Sequence, residues 1–212
     1  VAPVEWKATK INIIDTPGYF DFIGEATSGY YLGDSALILV NGLAGLTVGA
    51  EKAWDNCIEH KKAKAFFVNQ MDKEHVDFDK VIDSLKEKYT THITVMHLPI
   101  GQGLNFKGIV DIVEMKAYMF DGKKVKEAEV PSDLLEKAKS IRDSIIENAA
   151  ENDEKLMEKY FEGEDLSKED IMKGLMIGIA EGLVAPVFIG AAAQGFGISL
   201  LLDSIVTYMP SP

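Results

Sequence analysis

The sequence predicts an α/β protein, a parallel sheet with flanking helices that carries an inserted α+β subdomain. Three observations lead there. Short apolar runs alternate with helical stretches between Lys10 and Tyr89, the pattern changes near His92 to short strands and charged helices, and a buried strand followed by a helix returns at Pro186. Strand–helix alternation favours parallel pairing, because a helical crossover returns the chain to the same end of the sheet with a right-handed turn.

Each element has its own signal. Residues 1–9 read as a polar lead-in with Pro3 and Trp6, and Lys10–Ile14 as the first strand of the parallel sheet. Phe20–Leu32 sets Phe22, Ala26 and Tyr30 four apart, a weak helical face interrupted by Gly24 and Gly29. Ser35–Val40 is a continuous apolar run, as in a strand covered on both faces. Residues 41–49 are Gly-rich and loop-like, and Ala50–His60 reads as a helix with Ala53, Trp54, Cys57 and Ile58 on one side. Ala63–Val68 is a third buried strand, and Phe78–Tyr89 spaces Phe78, Val81, Ile82, Leu85 and Tyr89 as a 3.6-residue stripe.

Beyond His92, the segments Ile93–Ile100, Ile109–Val113, Ala117–Phe120 and Lys123–Ala128 read as short antiparallel strands, with Asp121-Gly122 as a hairpin signal. Leu134–Ala149, Glu154–Tyr160 and Lys168–Ala180 read as helices, Pro186–Ile189 as a buried strand, and Ile198–Met209 as a helix closed by Pro210 and Pro212. The division expected is residues 1–91 for the first part of the α/β domain, 92–184 for the insertion and 185–212 for its last strand and helix. The acidic run Glu162, Glu164, Asp165, Glu169 and Asp170 reads as a solvated face.

Composition narrows the function. An apolar fraction of 47% with 26% charged residues is that of a globular chain, which excludes disordered and collagen-like classes. The net charge of −12 argues against free DNA or RNA as a direct partner, since such binding needs a basic stripe. It leaves open docking on a ribonucleoprotein through a protein component. A single cysteine, Cys57, excludes an internal disulfide, and its expected role is helix packing. With no apolar run of about 18 residues and no signal pattern, no membrane partner and a cytoplasmic location are expected. The chain begins at Val1 and reads as a piece of a longer one. The four histidines lack metal-ligand spacing and read as surface or packing residues.

Three polar strand ends carry the chemistry: Asp15-Thr16-Pro17-Gly18, Asn69-Gln70-Met71-Asp72 and Gly190-Ala191-Ala192. In open α/β sheets ligands bind outside the carboxyl ends of the strands, so the three turns point at one site. A carboxylate at Asp15 can hold a magnesium-bound water, and Gly18 can bring an N–H to a phosphate oxygen without a Cβ in the way. The Asp72 carboxylate can accept from the N1–H and exocyclic amine of guanine together, a donor pair that adenine does not offer. Backbone N–H groups of the third turn could hold the guanine oxygen. Ordinary turn chemistry also explains Asp, Asn, Pro and Gly at these places, and each turn alone is open to that reading.

Asp15-Thr16-Pro17-Gly18, Val68-Asn69-Gln70-Met71-Asp72 and Pro186-Val187-Phe188-Ile189-Gly190-Ala191-Ala192 resemble the third, fourth and fifth motifs of translational GTPases. Asn105–Asp111, Val113–Ala117, Leu202–Val206 and Pro210-Ser211-Pro212 look like the elongation factor G family, and the resemblance runs over nearly the whole chain. It implies a partial P-loop GTPase domain lacking the P-loop strand, with the insertion as a G′ subdomain facing the ribosomal stalk protein. It implies GTP/GDP and magnesium as ligands, the large ribosomal subunit as partner, and hydrolysis of GTP in translation. The site residues implied are Asp15, Thr16, Pro17, Gly18, Asn69, Gln70, Asp72, Gly190, Ala191 and Ala192, with Asp15 toward magnesium through water.

Three positions depart from the family pattern. Tyr19 stands where a histidine orients the attacking water, and a phenol can donate a hydrogen bond there but cannot take over imidazole's role. Gln70 replaces a lysine whose stem packs over the base, and Ala191 replaces a serine. These departures point to a divergent paralogue. The readings in play are a translocating GTPase, a slowly hydrolysing or non-catalytic ribosome-binding module, a ribosomal-protection GTPase, and an unrelated α/β enzyme. The phosphate-cradling Gly-x-x-x-x-Gly-Lys-Ser/Thr loop is absent from the sequence, as is the first switch, so this chain alone is expected neither to bind GTP tightly nor to hydrolyse it.

Overall fold

The computed structural model describes residues 1–122 and 124–212. Its centre is a four-stranded parallel sheet in the order β3-β4-β10-β5, where β3 is Ser35–Asn41, β4 Ala63–Asn69, β5 His92–Val95 and β10 Val184–Ile189. β4 and β10 are internal, and both are buried along their lengths until β4 reaches Asn69. Near-continuous apolar sequence suits burial on two faces, and the one exception before Asn69, Lys64, donates its Nζ to Gly182 O at 3.2 Å.

Helices α2 (Val48–Glu59) and α3 (Phe78–Lys88) cover the sheet, each started by a side chain that accepts an orphan backbone N–H: Thr47 from Ala50 and Asp77 from Lys80. Trp54 on α2 stacks on Phe66 and Tyr89, with ring centroids 5.3 and 4.0 Å away. Cys57 is fully buried in this helix, as its packing role requires, whereas Ile58, expected on the same face, is 52% exposed. The helix turns by 100° per residue, and Ile58 falls on the far side of Trp54 from Cys57, outside the buried stripe of Ala50, Trp54 and Cys57.

Residues 97–128 form a second, antiparallel sheet in the order β6-β7-β8-β9, with β6 His97–Ile100, β7 Gly108–Asp111, β8 Lys116–Asp121 and β9 Lys124–Ala128. The strand expected over 123–128 starts at Lys123, which lies outside the described residues. Three helices follow: α4 (Ser132–Ala150), α5 (Glu154–Phe161) and α6 (Lys168–Ala180), the last opened by a reciprocal Ser167–Asp170 capping box; α4 packs on α5 and α6, and reaches β5, while α6 lies against β10. Helix α7 (Ile198–Tyr208) closes the chain.

Two expectations are corrected. The run Ile93–Ile100 is two strands. β5 joins the parallel sheet beside β10, the Met96 N–H donates to Val187 O, the Ile112 N–H donates to Met96 O, and β6 then pairs antiparallel with β7. Both strands open on a histidine and are otherwise mostly apolar, so nothing in the composition marks the switch.

The second correction concerns the strand before Asp15. It is β2 (Thr9–Ile13), and it lies outside the parallel sheet, paired antiparallel with β1 (Ala2–Trp6) as a separate hairpin. Lys7 and Ala8 make the tight turn with φ of 45° and 61°, the conformation that two-residue hairpins select. The Asn-Gly signal is missing there, so residues 1–9 read as a lead-in. The hairpin is tied to α7, where the Trp6 indole donates to Asp203 Oδ1 at 2.6 Å and Lys7 Nζ lies 2.8 Å from the same carboxylate. Helix α1 (Ile23–Leu32) has no buried residue, and β3 is left as a sheet edge with Leu39 62% exposed.

Candidate functional site

The carboxyl ends of β4 and β10 are sewn together at Asn69. Its Oδ1 accepts from the Gln70 N–H at 2.8 Å and from the Ala192 N–H at 2.9 Å, so one short amide ties two turns. Backbone bonds reinforce the tie: the Gly190 N–H donates to Val68 O, and the Met71 N–H to Gly190 O. Gly190 is required by packing, since an added Cβ would lie 2.5 Å from Phe196 O and 2.7 Å from Phe67 Cζ. The Ala191 N–H donates to Phe196 O, so the N–H groups of Gly190, Ala191 and Ala192 all have protein acceptors.

Gln70 takes the left-handed conformation, φ 64°, and its Oε1 accepts from Asn41 Nδ2 at 2.9 Å. Asp72 is largely buried, and its Oδ1 has no hydrogen-bond partner, while its Oδ2 lies 3.9 Å from Lys73 Nζ. A buried carboxylate oxygen without a donor is costly, and a ligand with two N–H groups in a row would satisfy it. Asn41 is the residue that the sequence reading missed. It had a signal, because it is a polar residue at the carboxyl end of an apolar strand, the criterion that found Asn69.

Asp15, Pro17, Gly18 and Tyr19 are exposed on the irregular segment after β2, with Thr16 half-buried. Thr16 packs on α1 at Gly29, where an added Cβ would come within 2.4 Å of its Cγ2. Nothing lies within 4 Å of a Cβ built on Gly18, so packing does not explain that glycine. The Tyr19 side chain is 80% exposed. Among the described residues no hydrogen bond joins Asp15–Tyr19 to the Asn69 or Gly190 turns. The structure thus brings together Asn69, Gln70, Asp72 and Gly190–Ala192, and leaves the Asp15 turn on the neighbouring hairpin. No described helix is long and apolar enough to cross a membrane.

Polar turns at the carboxyl ends of adjacent parallel strands, one holding a carboxylate with a buried, unpaired oxygen, stand where open α/β sheets bind their ligands, and the arrangement is that of the nucleotide-site class of α/β domains. The family described as elongation factor Tu GTP binding domain matches residues 1–211, and the chain belongs to that family. It is 40% identical over 212 residues to a protein of Thermotoga maritima called elongation factor G-like protein, covering 100% of this chain and 30% of that one. It is 36% identical over 211 residues to elongation factor G of Ureaplasma parvum, covering 98% of this chain and 31% of the relative. A crystal structure of a Thermus thermophilus protein superposes with a TM-score of 0.94 at 31% identity, over 100% of this chain and 32% of that one. The chain therefore spans about a third of the length of these relatives.

Proposed function

We propose that the chain is the guanine-reading and switch-bearing part of a ribosome-associated translational GTPase resembling elongation factor G. The observation that carries the reading is the unpaired, buried Oδ1 of Asp72 next to the Asn69 tie. Guanine offers N1–H and N2–H side by side, the pair that such a carboxylate lacks. The guanine oxygen would fall to the N–H of Ala193, which lies in the short 3-10 segment Ala192–Gln194 and so stands where helical N–H groups have no partner within the helix. Asp15 would hold magnesium through water, its exposed carboxylate acting with the phosphates of the nucleotide, since magnesium usually takes one or two carboxylates and keeps several waters. Bound magnesium would supply charge neutralisation at those phosphates.

The division into residues 1–91, 92–184 and 185–212 is part of the proposal, with the middle part as the G′ insertion toward the ribosomal stalk protein. The absence of a phosphate-cradling loop from this sequence, the edge position of β3 and the separate hairpin of β2 together favour a sheet that lacks its P-loop strand. Calorimetric titration with GTP and magnesium is then expected to show no binding in the micromolar range, and micromolar affinity would overturn this reading. The base site is testable separately. Guanosine monophosphate is expected to shift the amide NMR signals of Gln70 and Ala192, adenosine monophosphate to leave them in place, and Asp72→Ala to abolish the difference.

A second reading, slow or absent hydrolysis in a ribosome-binding paralogue, is favoured by Tyr19 at the family's histidine position. Phosphoryl transfer depends mostly on positioning and electrostatics, so a changed water-orienting side chain slows turnover more readily than it removes it. Single-turnover GTP hydrolysis on ribosomes, by a polypeptide that includes this chain and the phosphate loop, separates the readings. Tyr19→His is expected to raise that rate.

A further inference from the structure

We propose that Asn41 is a positioning residue of the base site, which locks the Gln70 carboxamide in one orientation and makes an acceptor, not a cation, the group that position 70 requires. The inference rests on the guanine reading above. The orientation of Asn41 is set by its own loop, where Oδ1 accepts from the N–H groups of Leu43 at 2.8 Å and Ala44 at 3.1 Å. Backbone N–H groups only donate, so the oxygen end of this amide is fixed and Nδ2 must face the other way. Nδ2 donates to Gln70 Oε1 at 2.9 Å. Gln70 is fixed in turn, with its oxygen engaged and the two N–H donors of Nε2 left for other acceptors.

The backbone places this chain of bonds at the site. Asn41 is the register partner of Asn69 across β3 and β4, and the Gly42 N–H donates to Asn69 O at 2.8 Å. Asn41 thus stands beside the turn that runs from Asn69 to Asp72, and the left-handed backbone of Gln70 turns its side chain back to Asn41. A lysine at 70 would present only donors to Asn41 Nδ2. Turning the Asn41 amide round would then set its NH₂ against two backbone N–H groups. The departure at position 70 and the asparagine at 41 are therefore one coupled feature, whose outcome is a neutral amide with directed donors beside the guanine-accepting carboxylate.

The test is a double-mutant cycle read by NMR titration of this chain with guanosine monophosphate, with adenosine monophosphate as reference. Asn41→Ala and Gln70→Ala are each expected to weaken guanosine monophosphate about fivefold, the size of one net hydrogen bond, and the double variant no further. Gln70→Lys alone is expected to bind more weakly than Asn41→Asp with Gln70→Lys. In that pair an aspartate keeps one oxygen on Leu43 and Ala44 and turns the other to the ammonium. This rescue is a readout that a merely structural asparagine would not give, and it decides the matter even if Asn41→Ala fails to fold. Additive losses, or Gln70→Lys binding as tightly as the unaltered chain, overturn the inference alone. A chain that shows no preference for guanosine over adenosine monophosphate overturns the guanine reading and the inference with it.

Discussion

At the scale of single residues, the buried ionisable groups set how stability depends on pH. His97 is fully buried, edge-on to Phe188 at 5.2 Å between ring centroids, and its Nδ1 has no partner. Burial pushes its pKa down to about 3. The folded state keeps the ring neutral while the unfolded chain takes up a proton near 6.5, so stability is intact above that value and is lost as pH falls toward 3. Its register partner Asp111 runs the other way. Burial raises that carboxyl to about 6, against the pull of the Glu114 and Val113 N–H groups, so its penalty is present above 6 and is relieved as pH falls. His97→Leu is expected to move the acid unfolding midpoint to lower pH while changing stability above pH 6.5 by about 1 kcal/mol or less. An acid limb that stays in place would refute the role given to His97.

At the scale of elements, α4 and α6 are held by close helix packing. Gly174 on α6 lies against α4, where an added Cβ would come within 2.2 Å of Ala149 O, a backbone atom that cannot move aside alone. Gly174→Ala is expected to cost about 2–3 kcal/mol, measured as a lowered denaturation midpoint, and a loss below about 0.5 kcal/mol would show that the two helices separate freely. Elements with a full apolar period were legible in the sequence. Phe78, Val81, Ile82 and Leu85 are all buried on α3, as their spacing required. Elements defined by backbone conformation were not. The β1–β2 turn at Lys7-Ala8 is held by pairing along two strands and by Asp203 on α7, with no Gly or Asn to announce it. The division of Ile93–Ile100 between two sheets depends on which neighbour each half meets, and each half sets one polar residue, Thr94 or His97, among apolar ones.

For the whole molecule, β10 and its neighbours join the two sheets through Met96 and the Phe188–His97 contact, while one side remains unfinished. Leu39 on the edge strand, Leu43 and Val48 are all more than half exposed, and α1, which precedes that strand, has no buried residue. An open strand edge with exposed apolar side chains is a pairing surface. The isolated chain is expected to associate as its concentration rises, and Leu39→Lys to reduce that association in light scattering. Equal scattering from the two proteins would show that this edge is not the contact.

The amino-acid order alone carried the α/β class, the burial of β4 and β10, the α3 stripe and the family, because each rests on local periodicity or on contiguous motifs. Long-range packing settled that Thr9–Ile13 stands apart from the parallel sheet, and that Asn69 engages Ala192 through its side-chain oxygen. It also decided that Asp72 keeps an unpaired buried oxygen and that Asn41 grips Gln70. Those facts depend on pairs of residues far apart in the chain, 123 positions for Asn69 and Ala192 and 29 for Asn41 and Gln70, and hydrogen-bond partners at such separations leave no period to read.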